Sequence, residues 1–167
     1  LGSAETPRDL LKAVAAGAPA AEGVGAGTSW LAPEPVEEGS PDNATTLVEV
    51  LHWHARRHPD RPHVLFQRSA TETDTLSYGQ LLAAAREVAA GLRQMGIGRG
   101  QCVALMLPTG LDFFRSFYGI LLAGAVPVPI YPPTRPGQIE DHLRRQAGIL
   151  QNCEAVALIT FDAARMV

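Results

Sequence analysis

Three short apolar runs, separated by two helical patterns, limit the folds open to this chain more than any other feature. The runs are Cys102–Leu107, Val126–Ile130 and Ala155–Thr160, and the helical patterns cover about Leu111–Ala123 and Gln138–Asn152. Continuous apolar runs of this length are typical of strands that are buried on both faces. Strands and helices that alternate through short connections predict a parallel sheet with right-handed crossovers. We therefore expect an α/β fold with an incomplete, mixed-edge parallel sheet and flanking helices.

The second of these helical patterns has a predicted inner face. Its apolar positions recur at helical spacing and should pack on the sheet. They are Ile139, Leu143, Ala147 and Leu150.

A capping signal starts the first helix of the folded region. Thr45 or Thr46 is followed by Glu49, and the helix is predicted to run to His58 and to stop at Pro59. One face of this helix carries most of its apolar residues and should pack inward. The residues of that face are Leu47, Val50, Leu51 and His54.

A β-hairpin is predicted next. His63–Gln67 forms a short strand, a polar turn follows, and Thr75–Tyr78 forms the second arm. Ser77 and Gln80 make a capping box that begins the following helix, and Gly96 ends it. The inner face of that helix should consist of Leu81, Ala85, Val88, Leu92 and Met95.

The chain before residue 45 differs in composition. Thr6 and Pro7 are typical of a helix start, which predicts a short helix within residues 1–15. Residues 16–44 are rich in Ala, Gly, Pro, Ser and Glu, with Trp30 and Leu31 as the only bulky apolar residues. Such a segment cannot bury enough surface to offset its ordering entropy, so we expect a flexible linker. The absence of an initial Met indicates a piece of a longer protein, with 45–167 as part of a domain.

Charge and cysteine content exclude several function classes. The net charge is -3, with 14 basic and 17 acidic residues, and no basic stripe suits a nucleic acid. Lys12 is the only lysine, so a mechanism that needs a lysine in the folded region finds none. Cys102 and Cys153 supply neither a disulfide framework nor metal-ligand spacing, which is typical of a reducing cytoplasm. No signal-peptide pattern is visible at the N-terminus.

The most apolar stretch, Phe113–Tyr131, is too short to predict a membrane span. A spanning helix needs roughly 20 apolar residues without interruption. Arg115 lies near its start, and Gly124, Pro127 and Pro129 divide the rest. We expect a helix followed by a strand.

Two turns flank the strand predicted at 102–107. The run Gly96, Gly98, Gly100 invites comparison with a phosphate-binding loop, but it follows a helix and precedes a strand, which is the reverse of the required order. It indicates a tight turn. On the other side of the strand, Thr109 with Asp112 is predicted to begin the next helix.

Four histidines lie close in the sequence. His54 and His58 are one helical turn apart, and His52 and His63 are nearby. Two such histidines can share a metal, but no third ligand stands at a familiar spacing. The pattern therefore indicates packing or surface use, with His54 facing inward and His52 and His58 facing solvent.

A charged cluster lies on the helix after the proline-rich turn. Glu140 and Arg144, like Asp141 and Arg145, are four residues apart and predict ion pairs on a solvated face. The alternative is contact with a nucleotide or a partner. The sequence contains no nucleophile elbow of the GxSxG type and no convincing Ser/His/Asp set.

Two stretches resemble a known superfamily. LSYGQL at residues 76–81 resembles the first core motif of the adenylate-forming enzymes, and LAGAVPVPI at residues 122–130 resembles the second. The run PVPIYPPTRP at 127–136, followed by EDHLRRQ at 140–146, resembles the branch called fatty acyl-AMP ligases. The resemblance covers roughly residues 45–160 and identifies the chain as the first part of the large N-terminal domain of such a ligase.

This resemblance implies an enzyme that activates a fatty acid with ATP and Mg²⁺ and passes the acyl group to a carrier-protein phosphopantetheine thiol. In the family both core motifs mainly shape the fold, so no catalytic, cofactor-binding or metal-binding residue is assigned to this chain. The phosphate loop and the catalytic lysine would follow Val167, so the chain alone should be inactive and bind no cofactor. A long-chain acyl-CoA synthetase and a non-catalytic α/β binding module are the alternatives. LGSAETPRDLLKAV, residues 1–14, resembles the closing helix of an acyl carrier domain.

Overall fold

A computed structural model describes residues 40–132 and 139–161, with side chains for 40–132 and 144–161. The predicted helix at 1–15 and most of the predicted linker lie outside these residues. Four helices and five strands are described, in chain order: α1 Leu47–Arg57, β1 Pro62–Gln67, β2 Thr73–Ser77, α2 Tyr78–Gln94, β3 Cys102–Met106, α3 Leu111–Ala123, β4 Val126–Pro129, α4 Ile139–Asn152 and β5 Ala157–Thr160.

The first three elements pack on the start of α2. Strands β1 and β2 form an antiparallel hairpin, with Leu65 opposite Thr75. Their inward side chains join α1 in one apolar cluster, whose buried members are Leu51, Val64, Leu76, Leu81 and Leu82. In the described part of the chain, the hairpin is a two-stranded sheet of its own.

The other three strands form the predicted parallel sheet. The order is β4, β3, β5, so β3 is the central strand. Ala104 of β3 lies opposite Val128 of β4 and Leu158 of β5. The α/β prediction with a parallel sheet is therefore confirmed, and α3 and α4 supply the two crossovers.

Alternating residues of β3 divide the helices between two layers. Val103 and Leu105 face α2 and α3, where they pack with Ile120 and Leu92. Ala104 and Met106 face the opposite side, where α4 covers them through Leu150. The sheet thus has helices on both faces, as expected of strands that are apolar throughout.

Capping boxes begin two of the helices, α1 and α2. The Thr46 side chain accepts from the Glu49 amide, and the Glu49 side chain accepts from the Thr46 amide, so the first predicted capping box is present with Thr46 as the cap. The cap predicted at Thr109 is wrong. Gly110 occupies the N-cap position of α3, with extended backbone and no side-chain hydrogen bond.

Three predicted inward positions are wrong. Met95 is 66% exposed, because α2 ends at Gln94 and the chain turns away at Gly96. Leu47, in the first turn of α1, is also exposed. On α4, Ala147 is exposed, whereas its neighbour Gln146 is buried. Leu150 packs against the core as predicted, and the side chains of Ile139 and Leu143 lie outside those described.

The apolar stretch at 113–131 is divided as predicted. Helix α3 ends at Ala123, Gly124 adopts a left-handed φ of 82°, and strand β4 begins at Val126. Among the described helices, none has the length and hydropathy needed to cross a membrane.

Candidate functional site

The first motif, residues 76–81, joins the hairpin to α2. Ser77 and Gln80 form the predicted capping box, with the Gln80 amide 3.3 Å from Ser77 Oγ and the Ser77 amide 3.0 Å from Gln80 Oε1. Leu76 and Leu81, at its two ends, are almost wholly buried. The motif thus ends a strand, starts a helix and places two core side chains within six residues.

Gly79 in this motif allows a close approach of the backbone. Its amide donates to the Pro59 carbonyl oxygen at 2.8 Å. A Cβ atom at residue 79 would lie 2.9 Å from that oxygen, closer than real Cβ contacts. The glycine is therefore required by contact with the loop after α1, and the motif fixes α1 as well as the hairpin.

Tyr78 provides the third link of the motif. Its ring lies between two imidazoles, with ring centres 4.4 Å from His54 and 4.3 Å from His63 and interplanar angles of 14° and 23°. Tyr118 of α3 packs in the same cluster, and burial, followed by the proximity of Tyr78, raises the pKa of its phenol. One aromatic side chain therefore connects α1, the hairpin, α2 and α3.

The second motif, residues 122–130, forms the passage from α3 to β4. Arg93 of α2 donates to the Leu122 carbonyl oxygen at the end of α3. The Ala125 amide donates to the Ile120 carbonyl oxygen at 3.1 Å, which closes the helix around the left-handed Gly124. Ile130 is buried against Ala104 and Met106. This motif positions the edge strand β4.

The carboxyl edge of the sheet is the candidate site that topology indicates. After β3 the chain enters α3 on one face, and after β4 it leads to α4 on the other face. In open α/β sheets, ligands bind in the crevice where neighbouring connections diverge in this way. Pro108, Thr109 and Gly110 line one side, and Tyr131, which is 83% exposed, stands on the other. Sequence reasoning missed this crevice because strand order is not visible in a sequence.

Two buried polar atoms, one from α4 and one from β5, lie on the same side of the sheet as Met106. Gln146 is 5% exposed, and its Oε1 has no hydrogen-bond partner among the described residues. Thr160 lies opposite Met106 at the end of β5, and its Oγ1 is likewise unpartnered there. Buried polar groups usually find a partner, so these two atoms mark an incompletely satisfied region.

The histidines pack against rings and do not converge with a third ligand. His54 and His58 are 6.3 Å apart between ring centres, and Trp53 contacts both, at 4.8 and 5.8 Å. The predicted solvent exposure of His52 and His58 is wrong, because both are half-buried. Within the described residues no group of three metal-ligating side chains is found.

Three further features singled out in the sequence are the glycine run, the charged cluster on α4 and the proline-rich turn. The glycine run forms the predicted turn, with left-handed Gly96 and Gly100 and a bond of 3.0 Å from the Gly100 amide to the Gly124 carbonyl oxygen. The side chains of Glu140 and Asp141 lie outside those described, so the ion pairs to Arg144 and Arg145 stay a prediction. The proline-rich turn at 133–138 also lies outside the described residues.

The charged residues between α2 and α3 do not suit a Mg²⁺ nucleotide. A cleft of about 420 Å³ between α2 and α3 presents Glu87, Asp112 and Arg115, and Arg115 is already paired with Asp112 at 3.0 Å. No lysine follows Lys12 in the sequence. This mixed charge without a phosphate-binding loop does not fit a nucleotide, so no chemical step is assigned to these residues.

Known proteins resemble the chain across this same folded region. Residues 51–167 match the family described as AMP-binding enzyme. The chain belongs to this family. It is 34% identical over 128 residues to the long-chain-fatty-acid–AMP ligase FadD32 of Mycolicibacterium smegmatis, which covers 74% of this chain and 19% of that protein. It is 42% identical over 119 residues to human Disco-interacting protein 2 homolog A, covering 70% of this chain and 8% of that one.

Solved structures of AMP-binding enzymes agree with the fold. The fatty acid AMP ligase from Legionella pneumophila superposes with a TM-score of 0.68 at 29% identity, covering 74% of this chain and 21% of that one. The L. pneumophila fatty acyl-adenylate ligase in complex with acyl adenylate and pyrophosphate gives 0.69 at 28% identity, covering 75% and 21%. The chain thus corresponds to the N-terminal portion of adenylate-forming ligases and spans about a fifth or less of these proteins.

Proposed function

We propose that this chain is part of a fatty acyl-AMP ligase. The reaction would join a fatty acid carboxylate to the α-phosphate of ATP, release pyrophosphate, and then transfer the acyl group to a carrier-protein thiol. Mg²⁺ and positioned donors would stabilise the charge that develops at phosphorus. The observation that carries this proposal is similarity, over about three quarters of the chain, to proteins named as fatty acid AMP ligases in both sequence and structure.

The proposed role of the described residues is structural. Motif residues 76–81 hold α1 and the hairpin on α2, and residues 122–130 position β4 at the carboxyl edge. The nucleotide-binding residues would be supplied by other parts of the ligase. On its own, chain 1–167 should therefore form no acyl-adenylate.

The test is fatty-acid-dependent exchange of pyrophosphate into ATP. Chain 1–167 alone should give only background exchange. A chimaera of the Legionella ligase, in which residues 51–167 replace the matching segment, should exchange with fatty acids, and the unaltered Legionella enzyme is the control. Exchange by the isolated chain would refute the structural role. A folded chimaera without exchange would refute the ligase proposal and favour the alternative, a non-catalytic α/β binding module.

The acyl acceptor is tested in a second step. A fatty acyl-AMP ligase should load the thiol of a phosphopantetheinylated carrier protein and leave free coenzyme A unacylated. The alternative, a long-chain acyl-CoA synthetase, would acylate coenzyme A. The carrier-domain origin of residues 1–14 and the cytoplasmic location expected from the cysteine content belong to the same proposal. A carrier tethered through residues 16–44 would raise the local acceptor concentration.

A further inference from the structure

Three rings form a continuous stack between separate elements. His54 comes from α1, His63 from β1 and Tyr78 from the first turn of α2, and the phenol ring is the middle member. We call these three residues the imidazole clasp. Because its members belong to three elements, the clasp ties α1 and the hairpin to α2.

The surroundings of the clasp are poor in negative charge. His54 Nδ1 is buried and has no hydrogen-bond partner among the described residues. The charges that bear on His54 come from Arg61 of the loop before β1, His58 at the C-cap of α1 and His63 of the hairpin, all of them basic. The groups on α2 and α3 are the phenols Tyr78 and Tyr118, which are neutral near pH 7. Within residues 40–132 and 139–161, no carboxylate is among the groups that shift the pKa of His54.

We propose that the imidazole clasp is an acid-sensitive device that holds α1 and the hairpin on α2 while both imidazoles are neutral, and releases them when the imidazoles are protonated. A proton on His54 would bring a further positive charge beside Arg61, His58 and His63. If it went to Nδ1, it would also create a buried donor without an acceptor.

A favourable contact opposes this release. An imidazolium above a phenol ring gains a cation–π interaction of about 0.5–2 kcal/mol. Two imidazoliums on opposite faces of Tyr78 would share that one ring, while both would lose hydration. We therefore expect that protonation of both imidazoles costs more in lost hydration and charge repulsion than the cation–π contact gains, so the stack is released.

The direction of the pKa shifts of His54 and His63 agrees with release of the clasp on protonation. Burial, followed by the charges of Arg61, His58 and His63, holds the pKa of His54 below its usual value of 6.5. Burial also lowers the pKa of His63. Both groups bind protons more readily once released, so the clasp contributes its full stability above about pH 6.5 and loses it as pH falls through the lowered values.

The test is hydrogen exchange of chain 1–167 between pH 7.5 and 5, corrected for the intrinsic pH dependence of exchange. Protection in α1 and the hairpin should fall by a clearly larger factor than protection in α3, because only α1 and the hairpin depend on the clasp. His54→Asn and His63→Asn should each remove much of this difference. His52→Asn, on the same helix but outside the clasp, should retain it.

A second measurement covers the case in which one variant fails to fold. Trp30→Phe leaves Trp53 as the only tryptophan, and its ring lies 4.8 Å from His54. Its emission should shift between pH 7 and 5, and His63→Asn should reduce the shift. Equal loss of protection in α1, the hairpin and α3, or an unchanged transition in both His54→Asn and His63→Asn, would overturn the proposal.

Discussion

The two faces of the parallel sheet are packed to different degrees. On the face of Val103 and Leu105, α2 and α3 cover the central strand β3 completely, and Ile120 is 0% exposed. On the opposite face, α4 covers Ala104 and Met106, but Leu158 of β5 remains 42% exposed. The same face holds Gln146 Oε1 and Thr160 Oγ1, for which the described part of the chain provides no hydrogen-bond partner.

On the α2–α3 face, the described residues supply most of the packing themselves. The α4 face leaves apolar surface that other parts of a domain can cover. The buried cluster on the α2–α3 face consists of residues between 89 and 125, with Ala157 and Ile159 of β5 packed against it. On the α4 face Leu158 of β5 keeps part of its apolar surface in solvent, which suits a chain that spans about a fifth of related ligases. We therefore expect substitutions on the two faces to have unequal costs.

The largest effect should come from truncating the covered face. Ile120→Ala removes a wholly buried side chain between α3 and β3 and should lower the free energy of unfolding by about 2–5 kcal/mol. Leu158→Ala, the matched truncation on the other face, should cost less than about 1 kcal/mol because that residue is already 42% exposed. Urea denaturation followed by circular dichroism measures both. Equal costs would mean that the two faces are equally packed.

Gly119 tests how closely α2 and α3 approach. A Cβ atom there would lie 2.5 Å from Val88 Cβ and 3.1 Å from the Ala85 carbonyl oxygen, so the helices would have to move apart. Gly119→Ala should therefore lower the free energy of unfolding by about 1–3 kcal/mol. Gly91→Ala is the control, since its Cβ would meet nothing within 4 Å and helix propensity should stabilise it by up to about 1 kcal/mol. If both variants were stabilised, the close contact would be disproved.

Much of this arrangement could be predicted from the sequence, because its signals are local. The capping boxes at Thr46 and Ser77, the turn at Gly96 and the apolar strands depend on neighbouring residues, and all are present. The strand order depends on contacts between distant segments and was not predictable. The same holds for the stack on Tyr78, which joins residues from three elements.

The inner face of α4 shows where periodicity fails. Its apolar pattern favoured Ala147, a small residue whose burial gains little, whereas the structure buries Gln146, four residues before Leu150. A buried glutamine breaks the apolar pattern that such predictions rely on. The error therefore falls on the less completely packed face of the sheet.

The smallest predicted effect concerns that glutamine. Gln146→Met keeps an unbranched side chain and removes an amide whose Oε1 has no partner among the described residues. The variant should be unchanged or more stable by up to about 1 kcal/mol, because a buried unsatisfied polar group costs about 1–3 kcal/mol and part of that is recovered. Gln146→Glu, the control of similar shape, should be less stable at pH 7, since it buries a charge. Urea denaturation of both variants gives the comparison. A loss of more than about 1 kcal/mol in Gln146→Met would show that the amide is satisfied in solution, and the α4 face would then be as complete as the face covered by α2 and α3.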